Sequence, residues 1–231
     1  MMNEISSSPD RREALKRLCL IGAAGSLVSV AGCSKLLLGG GKILFGDPKI
    51  TSEFTTLTRI DLSKGEHTVA VVCSTPESVE SNASALKLDV IDGVSRRLKL
   101  NGVKIINPDR VADWVEANGG IGSDLTQLAQ DFETDYIAWI DIQSFGLREP
   151  NSQNLLRGQT TGFIRVAKVE DVSGWRRPMM AYTREFALTY PQHQPISETG
   201  RSIIVFHKEY VARLCDMLAE RFYNHRPGKS F

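Results

Sequence analysis

Cys73 is the residue of this sequence that best fits nucleophilic chemistry. It closes the apolar run Val69–Cys73, which predicts a strand covered on both faces, and the carboxyl ends of such strands commonly line ligand sites in α/β folds. A cysteine phosphatase would carry an arginine six residues further on, but position 79 is Val, and no His lies near Cys73 in the sequence. The pattern therefore favours a buried core thiol over a catalytic one.

A second thiol, Cys215, lies in a predicted helix, and two interpretations of the pair stay open. Cys73 and Cys215 are either two buried free thiols or one disulfide that joins a strand to a helix in an oxidising compartment. No metal and no cofactor is predicted, because none of the four histidines has the spacing of metal ligands: His67, His193, His207 and His225. His207 is predicted to face the core and to be satisfied by hydrogen bonding.

A glycine-rich segment, Gly119-Gly120-Ile121-Gly122-Ser123, precedes a predicted helix, as phosphate-binding loops do. It lacks the Gly-Lys-Ser/Thr ending of those loops, and it follows a helix instead of a strand. We therefore interpret it as a loop between two helices, with Ser123 as the N-cap of the second helix.

Two further features suit binding better than catalysis. Asp141 lies within an apolar strand and by alternation shares a face with Trp139 and Gln143, which indicates an exposed or capped polar face. The run Trp175-Arg176-Arg177 occupies a predicted turn between the last two strands. Trp and Arg in exposed loops are typical interface anchors, although a packed hairpin tip is the alternative. Trp175, Arg176 and Arg177 are the candidate partner-binding residues.

Cys33 is the residue whose surroundings predict a covalent modification. Four basic residues between positions 11 and 17 precede the apolar stretch Leu18–Ala31, which is shorter than a membrane span. Val30-Ala31-Gly32-Cys33 resembles the bacterial lipobox, and this resemblance implies thioether lipidation of Cys33 and cleavage before it. We predict a signal peptide over residues 1–32 and a chain anchored by lipid in the cell membrane or the outer membrane, facing the periplasm.

The route of export stays open, and the charge of the mature chain limits its partners. Arg11 and Arg12, followed by Leu15 and Lys16, look like a twin-arginine export motif, and the general secretory route is the alternative. Loss of residues 1–32 removes four basic and three acidic residues, which leaves 24 of each and a net charge of zero. A neutral domain lacks the basic surface of a nucleic-acid binder, so no nucleic-acid partner is predicted.

Apolar periodicity predicts one folded domain over residues 66–224, after a tether at 33–65 and before a tail at 225–231. The predicted order is β-α-β-α-α-β-β-β-α, with the first strand at Val69–Cys73 and an amphipathic closing helix at 203–222. Asn107 and Pro108 predict a helix start. The predicted fold class is α/β (α+β), a single three-layer domain in which the last three of five strands form an antiparallel meander.

Three phrases carry a family resemblance: Val69-Ala70-Val71-Val72, Gly102 to Pro108, and Tyr136-Ile137-Ala138-Trp139. In this order they resemble the N-terminal domain fold of TolB and its relatives among envelope lipoproteins. These relatives include outer-membrane activators of penicillin-binding proteins and the soluble part of the curli secretion lipoprotein. The resemblance is one of architecture over residues 66–224. It implies a binding module with a mixed five-stranded sheet, and it transfers no catalytic residue.

Two departures from the family pattern limit the functions that the resemblance implies. TolB itself carries a C-terminal propeller, whereas this sequence stops at Phe231, and residues 163–171 place charges on both faces where a curli-type pore needs lipid-facing hairpins. We expect a non-enzymatic binding, scaffolding or assembly factor of the synthase-activator or secretion-adaptor type. Its expected partners are an envelope protein or cell-wall component and the membrane, and an oligomer is compatible with this role. An envelope hydrolase or transferase is the alternative, and a lipoprotein that assists transport through an envelope complex is a third hypothesis.

Overall fold

The structure, a computed structural model, describes residues 49–121 and 125–226. The predicted signal peptide, the lipobox with Cys33, and Gly122 and Ser123 lie outside the described residues. The described part contains six α-helices: α1 (Glu53–Thr58), α2 (Glu77–Glu80), α3 (Leu86–Leu100), α4 (Pro108–Ala117), α5 (Thr126–Asp131) and α6 (Ile203–Glu220). It contains six strands: β1 (Thr68–Ser74), β2 (Lys104–Ile105), β3 (Tyr136–Arg148), β4 (Leu155–Val172), β5 (Trp175–Tyr190) and β6 (Ile196–Ser197).

The strands form one mixed sheet in the order β2-β1-β3-β4-β5. β1 pairs in parallel with both β2 and β3, whereas β3, β4 and β5 form an antiparallel meander. The short strand β6, which was not predicted, pairs with Leu155 and Leu156 of β4. The mixed sheet and the predicted meander are therefore confirmed.

Helices pack on both faces of the sheet. The sequence of β1 fits this arrangement, since its residues are apolar on both faces. Val69, Val71 and Cys73 join a core with α3 and α6, whereas Ala70 and Val72 join a second core with α4 and α5. This arrangement confirms a single three-layer α/β domain. Among the described residues, no helix is long and apolar enough to cross a membrane.

Close contact between α6 and β4 depends on a glycine. Gly158 has no side chain, and the ring of Tyr210 occupies the space that a Cβ atom would need. The Tyr210 hydroxyl lies 2.7 Å from Thr160 Oγ1 and 3.0 Å from the Leu188 carbonyl oxygen. Tyr210 is fully buried, so α6 is held on the sheet by packing and by a polar contact at the same residue.

The segment before β1 belongs to the domain, so the tether predicted at 33–65 is too long. Ser52 caps α1 by accepting a hydrogen bond from the Thr55 N–H, and Phe54 is fully buried in the first core. Ile50 pairs antiparallel with His225, the residue predicted to begin the tail. A six-residue helix with one core residue has too little periodicity to be recognised from the sequence.

The β4–β5 hairpin extends further than predicted. Ser173 and Gly174 form its two-residue turn, both with positive φ, and Trp175 is already the first residue of β5. Tyr182 pairs with Val166 and Met180 pairs with Ala167, so Ala181 is an extra residue that forms a β-bulge. Pro178 pairs with Val169 on this outer strand.

Three local predictions concern helix starts and a histidine. Asn107 caps α4 and Pro108 is its first residue, as predicted. His207 faces the first core as predicted but lies at its margin, because its ring is half-buried and packs edge-on against Phe145 at 5.9 Å. The α5 N-cap is Leu125, and the predicted cap, Ser123, lies outside the described residues.

Candidate functional site

The sheet face on which α4 and α5 pack is only partly covered by these helices. The uncovered part carries polar and aromatic side chains. α4 and α5 pack on the part of this face that includes Ala70 and Ile137. Further along the same face lie half-buried and exposed side chains, which we call the open face: Ser74, Trp139, Asp141, Gln143, Phe163 and Arg165. Its continuation on β5 is exposed at Thr183, Glu185 and Ala187.

Asp141 is the centre of a hydrogen-bond network on the open face. Its carboxylate accepts from the Ser74 hydroxyl at 2.8 Å, from Arg165 Nη1 at 2.6 Å and from Gln143 Nε2 at 2.9 Å. The Ser74 oxygen in turn accepts from Trp139 Nε1 at 2.7 Å. Three strands therefore contribute to one network, and the pairing of Ser74 with Asp141 across β1 and β3 places these groups together.

Arg165 contacts two aromatic rings as well as Asp141. Its guanidinium carbon lies 4.8 Å from the centre of the Trp139 ring and 5.2 Å from that of Phe163. Cation–π contacts and a carboxylate partner together restrict the guanidinium to one orientation. The open face thus offers a positioned planar cation, a carboxylate and aromatic surface on a rigid sheet, which is the chemistry of recognition.

The prediction of Asp141 on a capped polar face with Trp139 and Gln143 is confirmed, but Ser74 and Arg165 were missed. Ser74 is 67 residues and Arg165 is 24 residues from Asp141 in the chain. The one signal in the sequence was the presence of Asp141 within an otherwise apolar strand, whereas Arg165 lies in a strand that also carries Lys168 and Glu170. Their pairing depends on strand register, which periodicity does not supply.

The thiols are placed where nucleophilic chemistry is unfavourable. Cys73 and Cys215 are free and almost completely buried. Burial raises the pKa of Cys73 far above its ordinary value, and burial also raises the pKa of Cys215 to about 12. Both thiols stay protonated at neutral pH, whereas a nucleophilic cysteine needs the thiolate.

His67 and His225 lie against tyrosine rings outside the open face. His67 packs edge-on against Tyr136, and His225 packs edge-on against Tyr223. Across residues 49–121 and 125–226, no group of three or more His, Cys, Asp or Glu side chains is arranged to hold a metal ion. Gly119 and Gly120, from the glycine-rich segment, follow the end of α4 and both adopt positive φ.

The three candidate residues at the hairpin divide between two faces of the sheet. Trp175, at 65% exposure, and exposed Arg177 point to the side of the first core, two residues apart on β5. Arg176 points to the other side, where Nη2 donates to the Thr134 carbonyl oxygen at 2.7 Å. The structure thus brings Trp175 and Arg177 together and uses Arg176 to tie β5 to the start of β3.

No family model and no curated protein matches the sequence. Among solved structures, the chain is similar to the lipoprotein GNA1162 from Neisseria meningitidis, with 14% identity and a TM-score of 0.37 over 65% of this chain and 99% of that chain. It is similar to PelC from Paraburkholderia phytofirmans, solved as a dodecamer, with 8% identity and a TM-score of 0.40 over 76% and 96% of the two chains. It is also similar to a minor lipoprotein from Acinetobacter baumannii, with 13% identity and a TM-score of 0.29 over 70% and 97%.

Proposed function

We propose that this chain is a lipid-anchored envelope lipoprotein whose domain binds an envelope protein or cell-wall component as a scaffolding or assembly factor. The observation that carries the proposal is the open face, where Arg165 is positioned by Asp141, Trp139 and Phe163. This role is of the synthase-activator or secretion-adaptor type implied by the resemblance to the TolB domain fold. The protein acts by binding and is not an enzyme.

Preorganisation is the physical reason why the open face suits binding. Arg and Trp dominate the energetics of protein interfaces when their positions are fixed, because little side-chain entropy is lost on association. Arg165 and Asp141 are half-buried side chains on central strands of the sheet, and exposed Thr183 and Glu185 lie beside them on β5. A partner that covers this face would complete the desolvation of groups that are already oriented.

The anchor is the second part of the proposal. The lipobox pattern places the lipidated residue at Cys33, and the described domain begins at Lys49, 16 positions later. A fully extended chain spans about 3.3–3.6 Å per residue, so this segment holds the domain within roughly 55 Å of the bilayer. The proposed function therefore places the open face within reach of partners close to the membrane.

Anchoring is tested by replacing Cys33 and comparing the variant with a matched cysteine variant. The wild-type protein and Cys19→Ser should yield a mature chain that begins at Cys33 and carries the mass of acyl chains such as palmitate. Cys33→Ser should lack this mass and should leave the membrane fraction or remain an uncleaved precursor. Mass spectrometry of the N-terminal peptide decides between them, and an unmodified chain beginning at Met1 in the cytoplasm would contradict the proposal.

Partner binding is tested by photo-crosslinking in intact cells. A photoreactive amino acid at Thr183, which is exposed beside Arg165, should give a discrete crosslinked product. The same amino acid at Leu88, an exposed position of α3 on the opposite side of the sheet, is the control. A product from Thr183 that disappears with Arg165→Ala supports the open face as the binding surface, and equal products from both positions contradict it.

A further inference from the structure

The tip of the β4–β5 hairpin carries a strip of exposed side chains on one face. Strand pairing sets Val172 opposite Trp175, Glu170 opposite Arg177 and Lys168 opposite Met179, and we call these six residues the tip strip. Trp175 and Met179 are 65% and 57% exposed, and Val172 is also exposed. Large apolar side chains so exposed and so close together indicate a surface that is covered by something else.

The tip strip lies at the same end of the domain as the first described residues. Phe54 of α1 packs against Tyr136, at 6.1 Å between ring centres. Tyr136 is directly opposite Lys168 on β4, and Lys168 is directly opposite Met179 on β5. Tyr136, Lys168 and Met179 therefore share the face of the sheet on which α1 lies. Ahead of α1, Ile50 pairs with His225 and Lys49 lies beside Asn101 at the end of α3. The first described residues therefore lie at the same end of the domain, and on the same face of the sheet, as the tip strip.

We propose that the tip strip contacts the phospholipid bilayer in which Cys33 is anchored, so that Trp175, Val172 and Met179 enter the interface between headgroups and acyl chains. This inference rests on the proposed lipid anchor and names the partner of the candidate residues Trp175 and Arg177. A tether of at most roughly 55 Å keeps the strip close to the membrane. Contact then needs only a rotation of the domain, because anchoring has already brought the two surfaces together.

The chemistry of the strip matches the membrane interface. Trp is enriched at the headgroup level, where one end of its ring system is apolar and its N–H reaches polar groups. Lys168 pairs with Glu170 at 2.9 Å, and these two charges cancel. The tip strip therefore has a net charge of +1, which Arg177 supplies. A long Arg side chain can lie along apolar surface while its guanidinium reaches lipid phosphate. Burial of the apolar side chains should contribute more to membrane binding than this single charge does. Because salt screens only the charge, the contact should persist at high salt.

The test uses the full-length lipidated protein in vesicles of phosphatidylcholine with brominated acyl chains. Bromine quenches tryptophan fluorescence on contact, and the chain has three Trp residues: Trp114, Trp139 and Trp175. Quenching should occur in the wild-type protein and in Trp114→Phe, and it should be lost in Trp175→Phe. It should also be unchanged in high salt.

Met179 and Met180 provide a matched pair of variants. They are adjacent on β5 and similarly exposed, at 57% and 53%, but their side chains point to opposite faces of the sheet. Met179→Glu should abolish the quenching of Trp175, because a carboxylate beside it opposes insertion, whereas Met180→Glu should leave it intact. Equal effects of the two substitutions would overturn the proposal.

Failure of the anchor and failure of the hairpin contact give different results. A chain that carries no lipid at Cys33 and does not float with the vesicles contradicts the proposed function and the hairpin contact together. A lipidated, vesicle-bound chain whose Trp175 is not quenched contradicts the hairpin contact alone. If Trp175→Ala instead abolishes a crosslink to a protein while quenching is absent, the tip strip is a protein contact and the proposal is wrong.

Discussion

The ring of Tyr210 in α6 lies directly over the Cα atom of Gly158 in β4, so that a Cβ atom at position 158 would overlap Tyr210 Cγ, Cδ2 and Cε2. Tyr210 cannot move aside freely, because it is fully buried and its hydroxyl is in contact with Thr160 and Leu188. The closing helix α6 can therefore pack this closely on the sheet only because position 158 carries no side chain.

Gly158→Ala should destabilise the domain, because the added methyl group forces α6 away from the sheet. Overpacking of this kind costs about 2 kcal/mol of unfolding free energy. Gly146→Ala on the adjacent strand β3 is the control, since no atom lies within 4 Å of its added Cβ. Urea unfolding followed by circular dichroism measures both, and equal stabilities of the two variants would contradict the close contact.

Arg165 and Asp141 should show favourable coupling in a double-mutant cycle. Both side chains are half-buried, and their pair is reinforced by Trp139 and Ser74, so a coupling of about 1 kcal/mol is expected. The cycle consists of Asp141→Asn, Arg165→Gln and the double variant, measured by urea unfolding. Arg184 and Glu53, a more exposed pair, provide the comparison and should couple more weakly. A coupling of zero for Arg165 and Asp141 would show that the network does not hold the guanidinium.

Two tryptophans should differ sharply in their contribution to stability. Trp175→Ala should change the unfolding free energy by less than about 0.5 kcal/mol, because Trp175 is mostly exposed at the hairpin. Trp139→Ala should cost about 2 kcal/mol or more, since Trp139 packs on the second core and donates to Ser74. The main effect of Trp175→Ala should be on binding: the free energy of binding through the tip strip should weaken by about 2 kcal/mol. Loss of stability in Trp175→Ala with binding unchanged would identify it as a packing residue.

Cys215 should make the stability of the domain fall in alkaline solution. Burial raises the pKa of its thiol to about 12 in the folded chain. The unfolded thiol releases its proton near pH 8.5–9, so the stabilisation is fully present below that pH and is lost as the pH rises towards 12. Between about pH 9.5 and 11.5, the wild-type protein should lose about 1.4 kcal/mol per pH unit more than Cys215→Ala. Parallel pH profiles from urea unfolding would show that the thiol titrates normally.

Strong periodicity explains which parts of the fold could be predicted. β1 is a continuous apolar run, and α6 repeats its buried residues over many turns, so both were recognised from the sequence. α1 was interpreted as tether because only Phe54 of its six residues is buried, and β6 has only two residues. Short segments of this kind form because the rest of the domain offers them a partner, which a local pattern cannot reveal.

The candidate surfaces were predicted less completely than the fold. Asp141 was recognisable as a polar residue in an apolar strand, but its partners Ser74 and Arg165 depend on the register of β1, β3 and β4. The run Trp175-Arg176-Arg177 looked like a unit in the sequence, whereas strand alternation separates Arg176 from the other two. The sequence analysis predicted a turn at these residues, whereas β5 already begins at Trp175. Side chains of a turn do not alternate between two faces, so the separation of Arg176 was not predicted.

Pro178 makes the outer edge of the sheet a poor template for further strands. The Val169 N–H donates to the Asp135 carbonyl oxygen on the β3 side, so the backbone of the opposing residue, Pro178, faces away from β4. The proline thus costs the sheet no hydrogen bond and removes one donor from the free edge, and the bulge at Ala181 interrupts the edge again three residues later. Protection against aggregation at this edge is thereby concentrated in the first half of β5, and strand addition to β5 would have to begin between Tyr182 and Tyr190.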